Sequence, residues 1–344
     1  MHVWRGCEQV PADLAPTSVT IGTFDGVHRG HRVLIDRVVA DRARGLLPVA
    51  VTFDPHPLAV IRPDIAPLLL TSMEHRFELF EREGLGGVLA IQFTPELAAE
   101  SAERFATRVL AETLNAEHVV VGRNFRFGHR AAGDVVLLAE LGRELGFTVR
   151  IVDLEPLDDS VPTGRRLRSV GMTAGHSTVH DGAPVEDPQG PPAVSSTAIR
   201  ALVASGDVEG AEAALGRPHR VHGVVAQGDR RGRELGYPTA NLDVPVGMAV
   251  PADGVYATRF RASGEPDRWR PAAVSVGTNP TFDGQTRRVE AFVLDAPEGY
   301  DVYGQAADLE FVAHLRGMVR FDSVAALIEQ MAADVTQARV LLDA

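Results

Sequence analysis

The chain has 344 residues, 45% hydrophobic and 23% charged, which is ordinary for a soluble globular protein and more than one comfortable hydrophobic core accommodates, so two domains are expected. A formal net charge of −12 argues against a nucleic-acid partner. All 34 residues counted as Lys+Arg are arginine, and the lack of lysine excludes a Walker-type P-loop, a protein kinase, and Schiff-base or pyridoxal chemistry.

Cys7 is the single cysteine, so neither an intramolecular disulfide nor a cysteine-based zinc cluster can form. Residues 1–16 do not read as a signal peptide. No apolar run reaches the roughly 18 residues of a membrane span, so a cytoplasmic protein without a membrane partner is expected. Homo-oligomer formation is left open.

In chain order, residues 17–60 read as strand, glycine-punctuated turn, helix and strand, with Val33, Leu34, Val38 and Val39 at helical spacing. Further alternation follows: a strand at 88–93, an amphipathic helix at 101–114, a strand at 118–121, a helix at 135–145 and an extended run at 148–154. Strands alternating with helices imply a parallel, doubly wound sheet. The pattern breaks within 155–192, where 158–192 reads as an irregular insertion, and helices at 196–205 and 208–215 lead to a linker at 216–218. From 219 onward, short alternating runs separated by Gly, Pro, Asn and Asp predict a small antiparallel barrel or sandwich. A terminal helix at 323–342 places Val324, Leu327, Ile328, Met331, Val335, Ala338 and Leu342 on one face.

The first candidate site is Gly22-Thr23-Phe24-Asp25-Gly26-Val27-His28-Arg29-Gly30-His31, after the first strand and opening the first helix. A Gly-rich turn at a helix N-terminus lets backbone N–H groups approach a phosphate. Two histidines three apart share a side of the first turn and can donate hydrogen bonds to charge building on a transferring phosphate. A tight turn with two surface histidines is the plain alternative; Asp25, the three glycines and the preceding strand weigh against it.

This decapeptide resembles the H-x-G-H signature of nucleotidyltransferases, in the form found in bacterial FAD synthetases. The segment 121–128, Val-Gly-Arg-Asn-Phe-Arg-Phe-Gly, resembles the flavin and nucleotide loop of that module, and Ser195-Ser196-Thr197-Ala198-Ile199-Arg200 resembles its late Ser-Ser-Thr-x-Ile-Arg motif. The resemblance implies His28 and His31 as catalytic residues. It implies nucleotide or phosphate contacts from Gly22, Phe24, Asp25, Gly30, Asn124, Ser196, Thr197 and Arg200, and flavin contacts from Asn124, Phe125 and Phe127.

The segment 228–242 is dense in Gly and polar residues and resembles the riboflavin kinase motif, a Gly-rich flap followed by Pro-Thr-Ala-Asn. Blocks at 251–257, 277–282 and 289–292 match further parts of that family. Thr239 and Asn241, two apart, project to one side of an extended backbone and offer hard oxygen ligands for phosphate and Mg²⁺. Glu290, on its own a solvent-facing strand residue, becomes through the resemblance the general base for the riboflavin 5′-hydroxyl. Gly228, Gly232 and Gly236 become phosphate-binding positions, and Arg316 a flavin contact.

The resemblance covers nearly the whole chain and is to the bacterial bifunctional riboflavin kinase/FAD synthetases. It implies an α/β protein, with a doubly wound parallel-sheet nucleotidyltransferase domain at 1–215 and a small antiparallel β-barrel kinase domain with a terminal helix at 216–344. Riboflavin would be phosphorylated by ATP to FMN, and FMN adenylylated by a second ATP to FAD and pyrophosphate. Two rival readings are a different H-x-G-H nucleotidyltransferase and a catalytically silent flavin sensor or carrier.

Overall fold

The structure, a computed structural model, describes residues 1–153, 194–226, 239–278, 287–297 and 299–343. The insertion expected at 158–192, and Gly228, Gly232 and Gly236, lie outside the described residues. Contacts divide the chain into two compact units: one holds Met1–Pro67 and the described residues from Met73 to Ser195, the other Leu68–Ser72 and the described residues from Ser196 onward.

The first unit is built on strands β1 (His2–Trp4), β2 (Thr17–Ile21), β3 (Leu47–Asp54), β4 (Gly87–Gln92), β5 (Ala116–Gly122) and β6 (Thr148–Val152), in the order β1-β4-β3-β2-β5-β6. Each pairing is parallel. Its helices are α1 (Arg29–Ala40), α2 (Pro57–Ile61), α3 (Met73–Arg82), α4 (Pro95–Ala98), α5 (Ala102–Phe105, continuing as a π-helix over Ala106–Thr113) and α6 (Val135–Leu145). The run Val-Leu-Ala-Ile in β4 and the fully buried β2 mark strands covered on both faces. Alternate residues divide accordingly. Val19, Val49, Leu89, Val119 and Val121 face a core with Phe105, Leu110 and Leu138, while Ala50, Val88, Ala90 and Val120 face Leu34, Ile35, Val38, Phe77 and Phe80. The strand order reverses between β2 and β5, so a crevice is expected at their carboxyl ends, where open α/β sheets take ligands.

The second unit contains α7 (Ser196–Ser205), α8 (Val208–Leu215), strands β7 (His219–Ala226), β8 (Thr239–Asp243), β9 (Gly254–Ala262), β10 (Arg270–Thr278), β11 (Arg287–Val293) and β12 (Ala306–Arg316), and α9 (Val324–Leu342). The strands close into an antiparallel barrel, β10-β11-β8-β7-β12-β9. Its interior holds Val221, Val225, Leu242, Phe260, Val274, Val276, Val289, Ala291, Leu309 and Phe311, with Tyr256 edge-on to Phe311 at 5.3 Å. Leu69 joins this unit through Leu69 N–H to the Gly247 carbonyl (2.7 Å) and Ala249 N–H to the Leu69 carbonyl (2.8 Å).

The terminal helix turns most of its expected apolar face inward, with Leu327, Met331, Val335, Ala338 and Leu342 buried or half-buried and Val324 and Ile328 exposed. Val324 is 59% exposed, whereas Asp334 is buried together with Ala338. Arg316 Nε and Nη2 donate to Asp334 at 2.9 and 2.7 Å, which satisfies that carboxylate where it is buried. The alanines Ala257, Ala313 and Ala338 then let α9 pack closely on the barrel.

Candidate active sites

The turn after β2 is strained and crowded. Phe24 and Val27 hold φ of 49° and 39°, a left-handed backbone that costs a side-chain-bearing residue about 1–2 kcal/mol each. Both are buried, Phe24 at 1% exposure and Val27 at 0%. The turn is tied by Gly22 N–H to the Val51 carbonyl (3.1 Å) and Val27 N–H to the Phe24 carbonyl (3.0 Å). His28 then caps α1: its Nδ1 accepts the His31 backbone N–H at 3.3 Å, which puts the proton of the neutral ring on Nε2. The rings of His28 and His31 stack at 3.6 Å and 17°, and Phe24 meets His31 edge-on at 5.1 Å. Gly30 lies close against this stack: a Cβ there would stand 3.2 Å from His28 Cε1 and Nδ1 and press on the ring. Asp25 lies behind the turn, fully buried, with Arg76 Nη2 3.5 Å from its Oδ1.

A cleft of about 480 Å³ opens where the strand order reverses, within the size range of small-molecule sites. Gly22 and Thr23 line one part, and Asn124, Phe125, Phe127 and Arg130, after β5, line another. Phe53, Pro57, Ile61 and Phe93 add apolar wall. Phe125 and Phe127 stack at 5.4 Å and 15°, a flat aromatic surface within a mostly apolar cleft. The loop that carries them is closed by reciprocal backbone bonds between Phe127 and Gly133 (3.1 and 2.9 Å). Gly128 is forced by its φ of 74° and by the Ala102 backbone nitrogen, 2.6 Å from where its Cβ would be. Backbone N–H groups of Leu137 and Val136, with Arg126 alongside, hold the Asp134 carboxylate below its usual pKa at the start of α6. The Asp153 carboxylate beside Arg123 holds that guanidinium's pKa up.

Thus Gly22, Asn124, Phe125 and Phe127 share one cleft in the first unit, and His28, Gly30 and His31 form one stack beside the same turn. Ser196, Thr197 and Arg200 belong to the second unit, on the first turns of α7, where Arg200 Nε donates to the Leu68 carbonyl at 2.7 Å.

In the barrel, register does the positioning. Asn241 on β8 pairs with Glu290 on β11, and Glu290 pairs with Ser275 on β10. Thr239 pairs with Phe292 one step along. Ala240, Leu242, Val289 and Ala291 fill the interior, so Thr239, Asn241, Glu290 and Ser275 lie on the outward face, all half-buried. Arg316 lies three strands from Glu290, reached through Ser275, Val255 and Arg316 in successive register, and is engaged with Asp334. The sequence reading missed Ser275, and also Arg76 and Thr52 behind the first turn. Only cross-strand register and tertiary packing bring these residues to their sites.

Fold and sites together define a chain with a nucleotidyltransferase-like module followed by a barrel module bearing a polar row. An FAD synthetase family model matches residues 10–161 and a riboflavin kinase family model matches 215–342. The bifunctional riboflavin kinase/FMN adenylyltransferase of Escherichia coli (strain K12) is 33% identical over 323 residues, 93% of this chain and 91% of that protein. Its counterpart from Pseudomonas fluorescens is 32% identical over 344 residues, 99% of this chain and 98% of that protein. A crystal structure from Streptococcus pneumoniae, described as a macrolide-efflux protein, superposes with a TM-score of 0.76 at 29% identity, covering 98% of both chains. The chain belongs to the bifunctional riboflavin kinase/FMN adenylyltransferase family. It is an ATP-utilising transferase, with FMN adenylyltransferase activity in its N-terminal part and riboflavin kinase activity in its C-terminal part.

Proposed function

We propose that residues 1–215 carry FMN adenylylation and residues 216–344 riboflavin phosphorylation, with riboflavin, FMN and ATP as substrates in the cytoplasm. The riboflavin kinase match, which begins at 215, supports this division. No described helix is long and apolar enough to cross a membrane.

In the first reaction the riboflavin 5′-oxygen attacks the γ-phosphorus of ATP, Glu290 takes the hydroxyl proton, and ADP leaves. Thr239 and Asn241, with Gly228, Gly232 and Gly236, hold the phosphates. The hydroxyl of Thr239 and the amide oxygen of Asn241 are hard donors on one strand face, which suits Mg²⁺ bound by few protein ligands together with substrate phosphates. When bound, Mg²⁺ neutralises charge developing on the transferred phosphoryl group.

In the second reaction an oxygen of the FMN phosphate attacks the α-phosphorus of a second ATP and pyrophosphate leaves. His28 and His31 donate hydrogen bonds to the charge that builds there. Gly22, Phe24, Asp25, Gly30 and Asn124 shape or contact the nucleotide site, with Asp25 acting from behind the turn. Asn124, Phe125 and Phe127 receive the flavin ring, and Arg316 serves flavin on the kinase side. The observation that carries this reading is the cleft joining the Gly22–Thr23 turn to the stacked Phe125 and Phe127.

The test is product analysis of single variants supplied with ATP and Mg²⁺. His28→Ala or His31→Ala should lower FAD formation from FMN by about 10²-fold or more while leaving FMN formation from riboflavin intact. Glu290→Ala should do the reverse. Loss of both activities in any one well-folded variant would contradict two separate sites.

A further inference from the structure

The structure assigns a positioning role in adenylyl transfer to Arg76: it acts through Asp25 and Thr52 to hold the 22–28 turn in the conformation that stacks His28 on His31. This inference rests on adenylylation taking place at that turn.

Arg76 sits on the core-facing stripe of α3 with Met73, Phe77 and Phe80, a guanidinium among apolar residues, and its side chain is only 4% exposed and that of Asp25 only 1%. Its guanidinium serves two points of the turn. Nη2 lies 3.5 Å from Asp25 Oδ1, and Nη1 donates to Thr52 Oγ1 at 3.4 Å. The Thr52 hydroxyl in turn donates to the Thr23 carbonyl at 3.0 Å. One turn further along the same helix, Phe80 meets Phe24 edge-on at 5.6 Å, and Phe24 meets His31. Thus α3 grips residues 23, 24 and 25 from behind, directly ahead of His28.

Two features distinguish this network from ordinary stabilisation. The turn has left-handed backbone at Phe24, Gly26 and Val27, and such a conformation persists only where the surroundings over-determine it. A buried ion pair is also a poor device for stability, because an apolar pair of similar volume is often as good or better. What a guanidinium supplies that an apolar side chain cannot is direction, through a planar fork with fixed donor angles. The geometry it fixes is that of the groups that meet the transferring phosphate, where a misplacement of about 1 Å can cost roughly 100-fold in rate.

Both reactions of the intact chain report on the test, because riboflavin phosphorylation is an internal control for folding. Arg76→Met should lower kcat for FMN adenylylation by roughly 100-fold, with KM for ATP and FMN moving less than about threefold. Arg76→Lys, which keeps the charge but not the fork, should recover about tenfold of that loss. The double variant Asp25→Leu/Arg76→Met removes both charges of the pair, so its thermal stability should return toward wild type while adenylylation stays low. Riboflavin phosphorylation should be unchanged in all three.

The assignment is overturned if adenylylation returns together with stability in the double variant, because Arg76 would then be structural only. It is equally overturned if Arg76→Met raises KM for ATP at unchanged kcat, or leaves both constants alone. His28→Ala, measured in parallel, separates the two levels of inference. If FAD formation persists in that variant, the reading of the turn as the adenylylation site fails; if it is lost while Arg76→Met is indifferent, only the role of Arg76 fails.

Discussion

Gly30 packs directly against the His28 ring. Its alanine variant is therefore an informative probe of the histidine stack. A methyl at that position would press on the His28 ring at 3.2 Å and on the Val194 carbonyl at 3.4 Å, so the ring must move by a few tenths of an ångström. Alanine is also the better helix former, by up to about 1 kcal/mol, which offsets the crowding in the stability balance. Gly30→Ala should therefore melt close to wild type and phosphorylate riboflavin normally, yet adenylylate FMN at least about tenfold more slowly. Equal rates of FAD formation in the two proteins would show that the stack tolerates displacement. At this scale His28, Gly30 and His31 were legible, because a short motif carries its own geometry. Arg76 was not: it stands 51 positions from Asp25 (76 − 25), within a helix whose other charged residues read as a solvated face.

Among the elements, the barrel depends on a charged cluster that joins three strands. Asp308 on β12 accepts from His222 Nδ1 on β7 at 2.9 Å and from Arg261 Nε on β9 at 3.1 Å. Burial raises the pKa of this carboxyl, but the hydrogen bonds from His222 and Arg261 and the charges of Arg220 and Arg261 outweigh it, and the net shift is downward. A carboxyl with a depressed folded pKa contributes stability that is present above its unfolded value, near 3.9, and is lost as pH falls through the folded value. Asp308→Asn should therefore lower barrel stability by about 1–3 kcal/mol at neutral pH, with the difference from wild type fading below about pH 4. Denaturant titration can measure this in a Trp4→Phe background, where Trp269 is the one remaining tryptophan of the two. A constant difference across the pH range would rule out the carboxylate as its source.

The sequence made the parallel strands readable as apolar runs and the barrel strands as alternating ones. It concealed β8, because Thr239 to Asp243 lies beneath the kinase motif and its pairing with β11 is a long-range event. The apolar stripe of α9 was legible as a helix and largely as its inner face, but the burial of Asp334 beside it was not, because its partner Arg316 lies on another element.

At the scale of the whole molecule, one chain carries two chemistries that share one flavin. The product of the barrel reaction is the substrate of the parallel-sheet reaction. Leu68–Ser72 belongs to the barrel unit although the chain on both sides of it belongs to the other, a long-range association that a contiguous reading of the sequence does not reveal. The order of the two chemistries follows from the chemistry itself: adenylylation needs the phosphate that phosphorylation installs.

The central claim is that one chain performs both steps. The direct measurement is a time course of the purified protein with riboflavin, ATP and Mg²⁺, with flavins separated by chromatography and pyrophosphate assayed in the same samples. The account predicts that FMN rises first and then declines as FAD accumulates, with one pyrophosphate released for each FAD. Flavin that binds without conversion, or FMN that accumulates with neither FAD nor pyrophosphate, would contradict it.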